Sequence, residues 1–419
     1  HIYLRKLIEQ KKNIKWKTTS DTETLLIFIE NFELDYVLNN LEGMFAFSLY
    51  DKKDHSLILI RDLAGEKPLY MTTNESYFAF SSDLNSLKKI PNFDKTLNIQ
   101  SINEFLKYNY IPTPLTIYKH SFKMPQASLI KIDLNKFKLK RYNHFKDIKN
   151  DACFEYKKWW SYNLLKTKQK FEKINKEEVL ENIEILVEKS VSDQLISDVP
   201  IGTFLSGGVD SSLILSQLSK KKQKIQSFNI GFEFSTYDES VDAEKIAKYL
   251  CASHNKYTCT KNEALNLIPY INEAFSEPFA DSSQIPTMLV SRIASKKVKV
   301  ILGGDGGDEI FGGYNRYLLA NKYWKFFKIL PPPYNNIFKV LKYLPKPISY
   351  VLLDLFTNIE KISKNKTNSY NKFLEKIVNV KDRKSFYENL TIEWKDNSII
   401  NSDAISTNDN TNDLYDKDL

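Results

Sequence analysis

The sequence predicts a two-part chain: an α+β unit of antiparallel strands, then an α/β unit built on a parallel sheet. Three observations carry this. Residues 21–140 hold apolar runs joined by connections too short for crossovers, which favours antiparallel pairing. Further along, strand-like and helix-like runs alternate, the pattern of a parallel sheet covered on both faces. Two glycine clusters end strand-like runs there, at the edge where such sheets bind ligands.

Taken in order, GMFAFSLYDKKDHSLILIRD reads as a hairpin, two apolar runs around a charged turn. YFAFSSDLNSLKKI reads as strand then helix, and TIYKHSFKMPQASLIKIDL as a strand pair broken by Pro125. Residues 154–190 are rich in lysine and glutamate at helical spacing, as in EEVLENIEILVEKSVSDQL. IGTFL is then a strand leading to SSLILSQL, IQSFNIGF a strand preceding the helix SVDAEKIAKYL, and KVKVILGG a strand ending in glycine. YLLANKYWKFFKIL reads as a helix stopped by Pro331–Pro333, and the last stretch is rich in Asn, Asp and Ser without apolar periodicity. The domain reading is 1–150 for the first unit, 151–175 for a linker and 176–419 for the second.

Composition narrows the function classes. With 419 residues, 42% of them hydrophobic, the chain can bury more than one core. Its net charge of +8 comes from 60 basic against 52 acidic residues spread along the chain, so no nucleic-acid patch is indicated. Cys153, Cys251 and Cys259 follow no zinc or disulfide spacing, read as small buried hydrophobes, and favour a reducing, cytoplasmic setting. The histidines form no HExxH pair, and no apolar run reaches the ~18 residues of a membrane span.

The glycines locate the chemistry. Eight of the 12 lie in two places: Gly207 and Gly208, and the six within GGDGGDEIFGG at 303–313. Tight turns explain one or two glycines each, not six together, because glycine costs backbone entropy. In the first loop, main-chain N–H groups can approach a phosphate closely, and Ser206, Ser211 and Ser212 add hydroxyl donors. The helix expected from near Ser211 aims its free N–H groups into the same space. No Gly-Lys-Ser/Thr follows, so this is not the Walker cradle. Asp210 would repel a polyphosphate unless a cation bridges them, and Mg²⁺ is usually held by one or two carboxylates plus phosphate oxygens. The second loop supplies Asp305, Asp308 and Glu309, so Asp210 and Asp308 are expected to clamp one Mg²⁺ on a nucleotide's pyrophosphate. Each acid taken alone reads as a helix N-cap, Asp305 above all.

SDVPIGTFLSGGVDSS and GGDGGDEIFGGYNRY resemble the glutamine-dependent asparagine synthetases, as does SEPFADSSQIPTMLVSR. SGGxDS by itself is common to the ATP pyrophosphatases; the second motif narrows it. SDTETLL, LEGMFAFSLYDKK, RDLAGEKPLY and FAFSSDLNSL resemble the later part of that family's glutaminase domain. The resemblance implies an αββα N-terminal-nucleophile glutaminase domain, then an ATP pyrophosphatase (adenine nucleotide alpha hydrolase-like) synthetase domain. It implies ATP-dependent amidation of aspartate to asparagine through β-aspartyl-AMP, with ATP and Mg²⁺ as cofactors, glutamine or ammonia as nitrogen source, and room for a homodimer; it gives no nucleic-acid or membrane partner. Carried over, Ser206 to Ser212 hold the pyrophosphate, Leu205 and Ile230 contact the nucleoside, and Gly303 and Gly304 line the ATP site. Asp210 and Asp308 bind the metal, with Asp305 and Glu309 on the pyrophosphate side. Gly303 departs from the family's usual serine. Asp21 matches the residue that holds the glutamine amino group, and reads equally as a helix N-cap with Glu23 near. Ser282, Ser283 and Arg292 are candidates for the acceptor side, Arg292 also fitting a plain surface helix position. The nucleophilic cysteine of the family lies upstream of His1, and further helices lie beyond Leu419, so the chain reads as a fragment lacking both ends and impaired in catalysis. Two alternatives stay open: an amidotransferase acting on a sugar carboxylate for surface polysaccharide, and an inactive ATP-binding module.

Overall fold

The computed structural model describes residues 1–161, 175–221, 225–233, 238–314, 316, 317, 324, 380 and 382–394. The expected helix YLLANKYWKFFKIL, its proline stop and the polar last stretch lie largely or wholly outside the described residues.

The first unit is four layers deep. Helices α1 (Ile2–Glu9), α2 (Asp21–Asn31) and α3 (Leu34–Asn40) form the outer layer. Strands β1 (Ala46–Asp51) and β2 (Ser56–Arg61) make the expected hairpin. Next come β3 (Tyr70–Thr73), β4 (Phe78–Ser81), α4 (Leu84–Leu87), α5 (Ile99–Tyr108), β5 (Ser121–Lys123), β6 (Ser128–Asp133), α6 (Phe145–Lys149) and β7 (Phe154–Lys158). One antiparallel sheet has the order β1-β2-β6-β7 and the other β4-β3-β5. Ile58 and Ile60 of β2 pack toward Leu38 of α3, whereas Leu59 packs with Met71, Phe122 and Ile130 between the sheets. On the far side Leu84 and Leu87 of α4 and Ile102 and Phe105 of α5 cover Tyr70 and Ala79. The layering is therefore αββα, and the period-2 alternation of β2 is what places apolar groups on both of its faces.

Two sequence expectations are corrected here. The strands either side of Pro125 do not pair with each other: β5 joins β3 and β6 joins β2, so the proline marks where the chain changes sheets. Phe154–Lys158, expected to be helical and assigned to a linker, is a strand on β6, and the Trp159 N–H donates to the Ala127 carbonyl at 2.9 Å. The first unit thus runs through residue 159. An edge strand ending in two half-buried lysines carries a helix-like charge pattern, which hides it.

The second unit begins with α7 (Lys176–Gln194), whose N-cap Asn175 accepts from the Glu177 N–H at 3.1 Å. Strands β8 (Ile201–Phe204), β9 (Gln226–Phe232), β10 (Ser253–Cys259) and β11 (Val300–Leu302) form a parallel sheet in the order β10-β9-β8-β11. Helices α8 (Val209–Lys221), α9 (Ser240–Tyr249), α10 (Lys261–Leu267), α11 (Ile271–Ala274) and α12 (Gln284–Ala294) lie in the connections, and α13 (Gly307–Phe311) follows β11. Leu215, Leu218, Ala243, Ala247 and Val191 cover one face of the sheet, and Val290 and Ala294 of α12 cover the other over Phe228. Strand β10 was not anticipated, because SHNKYTC lacks the apolar run of its neighbours. The order 3-2-1-4 by chain position puts β8 beside β11, and the direction of the connections reverses there. That reversal is a topological switch point, the place where open α/β sheets bind ligands beyond their strand ends.

Candidate active site

Both glycine loops leave the sheet at this switch point, one from β8 and one from β11. The strands are tied at that end by the Thr203 hydroxyl, which donates to the Leu302 carbonyl at 2.9 Å. Gly207 has φ +86°, a left-handed value that glycine adopts without Cβ strain, and a Cβ there would lie 3.0 Å from the Ala243 nitrogen. The turn is therefore pressed against the start of α9. Inside it, the Ser206 and Ser211 hydroxyls lie 3.0 Å apart, and the Gly208 N–H donates to Ser206 Oγ at 3.2 Å. The Ser212 hydroxyl donates to the Gly208 carbonyl at 2.6 Å. Ser206 and Gly208 are exposed, Ser212 is half-buried, and Ser211 is buried beneath them.

Helix α8 starts at Val209, two residues earlier than expected, so Asp210 lies in its first turn. The second loop closes over it. A Cβ at Gly304 would lie 2.8 Å from Asp210 Cβ, and one at Gly307 would lie 2.7 Å from Asp210 Cγ. The two loops are thus in van der Waals contact through Asp210, and the glycines make room for its carboxylate. Asp308 is in the first turn of α13, its carboxylate filling the space at Gly313. Asp305 is exposed, and Oδ2 of its carboxylate would meet a Cβ at Gly303 at 2.8 Å. Nothing else comes within 3.5 Å of that position, and an exposed carboxylate can turn aside, so the structure gives no reason for glycine where the resembling family has serine. Glu309 accepts a hydrogen bond from the Tyr314 hydroxyl at 2.6 Å, and the carboxylate pushes the Tyr314 phenol up to about 12. The N-cap of α13 is Gly306, so none of the three loop acids serves as the cap.

Other expected residues fall in different places. Leu205 is 1% exposed within the core; its N–H donates to the Phe228 carbonyl, and its carbonyl accepts from the Asn229 side chain at 2.7 Å. It therefore forms the floor of the loop, and its side chain is not available to a nucleoside. Ile230 is half-buried at the carboxyl-end half of β9. Ser282 and Ser283 are exposed just before α12. Arg292 is exposed in the last turn of that helix, about 14 Å along the axis from Ser283 at ~1.5 Å per residue, so the structure separates it from them. Asp21 is exposed at the first position of α2, where Ser20 and not Asp21 is the cap, accepting from the Thr22 N–H at 3.1 Å.

The cysteines divide. Cys153 and Cys259 are buried as expected, but Cys251 is exposed, at φ +56° directly after α9. Burial, joined by the hydrogen bond from its thiol to Asp151, pushes Cys153 up to about 11, the opposite of an activated thiol.

Sequence reasoning missed Asn229, which anchors the loop floor, and the pair Lys123–Glu277. Lys123 Nζ lies 2.6 Å from Glu277 Oε2 and donates to the Ile111 carbonyl at 2.6 Å. Glu277 Oε1 accepts from the Ile117 N–H at 2.8 Å. Burial lowers Lys123 and raises Glu277, each against the opposing pull of its partner. Pairing across two units leaves no local periodicity to read, although a glutamate before a proline in SEPFADSS was a visible oddity.

Asp210 and Asp308 carry the hard oxygen donors that suit Mg²⁺, Asp210 at the junction of the two loops and Asp308 against Gly313. Among the described residues no group of three or more His, Cys, Asp or Glu gathers into a metal cage. Phosphate oxygens and water would have to complete the sphere, as is usual for Mg²⁺ on nucleotides.

A parallel sheet with two glycine loops closing on one carboxylate at its switch point, joined to an αββα unit, defines a two-unit protein of the α+β and α/β classes with its candidate site at the strand ends. The asparagine synthase family model matches residues 182–411, and the glutamine amidotransferase domain model matches residues 1–143. The chain belongs to the asparagine synthase family. It is 32% identical over 315 residues to a putative glutamine-hydrolyzing asparagine synthetase 2 of Methanocaldococcus jannaschii, covering 74% of this chain and 57% of that protein. It is 32% identical over 317 residues to glutamine-hydrolyzing asparagine synthetase 1 of Bacillus subtilis, covering 76% and 46%. The chain thus spans about half the length of these curated relatives. Among solved structures, glutamine phosphoribosylpyrophosphate amidotransferase from B. subtilis aligns over 62% of this chain and 58% of its own, at 10% identity and TM-score 0.26. Among the described residues no helix is long and apolar enough to cross a membrane.

Proposed function

We propose that this chain carries the synthetase chemistry of a glutamine-dependent asparagine synthetase: ATP-dependent amidation of aspartate, releasing AMP and pyrophosphate. The observation that carries the reading is the closure of Gly304 and Gly307 onto Asp210. It brings the two motifs to one point at the strand ends. Main-chain N–H groups of the first loop, with the Ser206 and Ser212 hydroxyls, would hold the pyrophosphate portion of ATP. Charge on the leaving pyrophosphate grows as the aspartate side-chain oxygen bonds to the α-phosphorus, and fixed donors aimed there favour that state. Asp210 and Asp308 would hold Mg²⁺, which when bound supplies further charge neutralisation. The mixed anhydride, β-aspartyl-AMP, then loses AMP to ammonia attacking the acyl carbon. Glu309, steadied by Tyr314, and Asp305 stand on the pyrophosphate side. Asp21 is proposed on the glutamine side of the first unit. The domains divide near residue 160, and a cytoplasmic enzyme, active as a homodimer, suits this reading.

Pyrophosphate release tests it. With Mg·ATP and an ammonium salt, release should depend on aspartate, and Asp210→Asn should lower it by two orders of magnitude or more. Release with a uronic acid and not with aspartate would move the acceptor to a sugar carboxylate. Binding of Mg·ATP without release under either condition would leave a nucleotide-binding module.

A further inference from the structure

We infer that Glu277 is a positioning residue, and that its ion pair with Lys123 uses the first unit to hold the acceptor-facing segment 276–283 over the nucleotide site. The inference rests on the synthetase reading above for its catalytic consequence, and on geometry alone for the latch.

Topology places the segment. It joins α11 to α12, and α12 returns along the sheet to feed β11, so its amino end lies at the carboxyl edge of the strands. That is the edge from which both glycine loops emerge. Ser282 and Ser283 are exposed there, next to the start of α12.

The segment has little regular structure of its own, and its fixed points are largely contacts with the first unit. The Lys123–Glu277 pair is 16% and 10% exposed, with Glu277 also accepting the Ile117 N–H. Beyond it, the Ala280 N–H donates to the Asn109 carbonyl at 2.8 Å. Within the segment, the Gln284 side chain donates to the Phe279 carbonyl at 2.9 Å, and the Ser283 N–H to Asp281 Oδ1 at 2.7 Å. From there α12 packs Val290 and Ala294 on Phe228, whose neighbour Asn229 holds the loop floor at Leu205. Hydrogen bonds, the α12 backbone and its packing on Phe228 thus link β5 to the nucleotide loop.

A mostly buried pair need not add net stability, but removing one member strands the other's charge. Lys123→Met should therefore displace the segment. Lys123→Met/Glu277→Gln removes both charges and keeps an acceptor for Ile117, so it should largely restore it.

Two measurements on the full chain decide the matter. In hydrogen exchange, Lys123→Met should exchange 276–283 at least tenfold faster than wild type, with β8 and α8 unchanged, and the double variant should return within threefold. In aspartate-dependent pyrophosphate release, Lys123→Met should raise the KM for aspartate at least tenfold while the KM for ATP stays within twofold, again with recovery in the double variant. Glu277→Gln alone should show the same pattern to a smaller extent, and replaces Lys123→Met if the latter does not fold. Unchanged exchange in 276–283, or KM values for ATP and aspartate that rise together, would overturn the inference. If wild type releases no pyrophosphate with aspartate, the synthetase reading fails, and exchange alone judges the latch.

Discussion

At Asp210, two loops from distant parts of the chain compete for the same few cubic ångströms, and glycine is what lets both in. An alanine at Gly307 would place its methyl within 2.7 Å of the Asp210 carboxyl carbon, so the carboxylate or α13 must move. Gly307→Ala should weaken Mg·ATP binding at least tenfold in calorimetric titration while leaving the melting temperature nearly unchanged, since α13 is short and exposed. Asp151 tests electrostatics instead. It accepts from Tyr142 Oη at 2.8 Å and from the N–H and thiol of Cys153, and it pairs with Lys140. Lys140 first, then these donors, hold its carboxyl well below the usual range. A depressed folded-state value contributes stability above the unfolded carboxyl value of ~3.9, and that stability is lost as pH falls through and below it. Asp151→Asn should flatten the acid limb of a denaturant-midpoint profile below about pH 4 and lower the midpoint near neutrality. The places of Asp210 and Gly207 in the first loop were legible because charge and glycine stand out against their neighbours. The burial of the Leu205 side chain was not legible, because a strand-end leucine looks alike whether it faces a ligand or the core; its 1% exposure is what distinguishes them.

Elements with a clear period were readable, and elements defined by partners were not. The hairpin of β1 and β2 has alternation and a charged turn, and both survive in the structure. β7 and β10 are polar edge strands held by a neighbour's hydrogen bonds, so their sequences resemble surface helix or loop. The short helix α10 was also passed over, although its start is locally coded. Thr260 and Glu263 form a reciprocal capping box, Glu263 Oε2 accepting the Thr260 N–H at 3.0 Å and Thr260 Oγ1 the Glu263 N–H at 3.2 Å. Thr260→Ala should cost about 1 kcal/mol in chemical denaturation. Thr260→Ser, which keeps the acceptor, should cost much less.

On the scale of the molecule, the two units are joined by more than the covalent link. Besides Lys123–Glu277, the Glu393 N–H donates to the Lys107 carbonyl at 2.8 Å, just past the helix Arg383–Thr391. Tyr387 of that helix stacks on Tyr317, with centroids 6.0 Å apart, a few residues beyond the second glycine loop. The two-part plan and the placing of both glycine loops at strand ends were visible in the alternation of runs. The interface was not, because each contact pairs residues far apart in sequence and uses side chains ordinary in their own surroundings.

The pairing of β8 with β11 also orders events during biosynthesis. Among the described strands of the parallel sheet, β8 is made first and β11 last, yet the ligand grip needs both. At ~5–20 residues per second, a ribosome would need on the order of ten seconds between the two glycine loops. Throughout that interval the growing polypeptide carries the strands of the αββα unit and only the first glycine loop, so a ligand gripped by both loops, as proposed for ATP, could lend no stabilisation before β11 has docked.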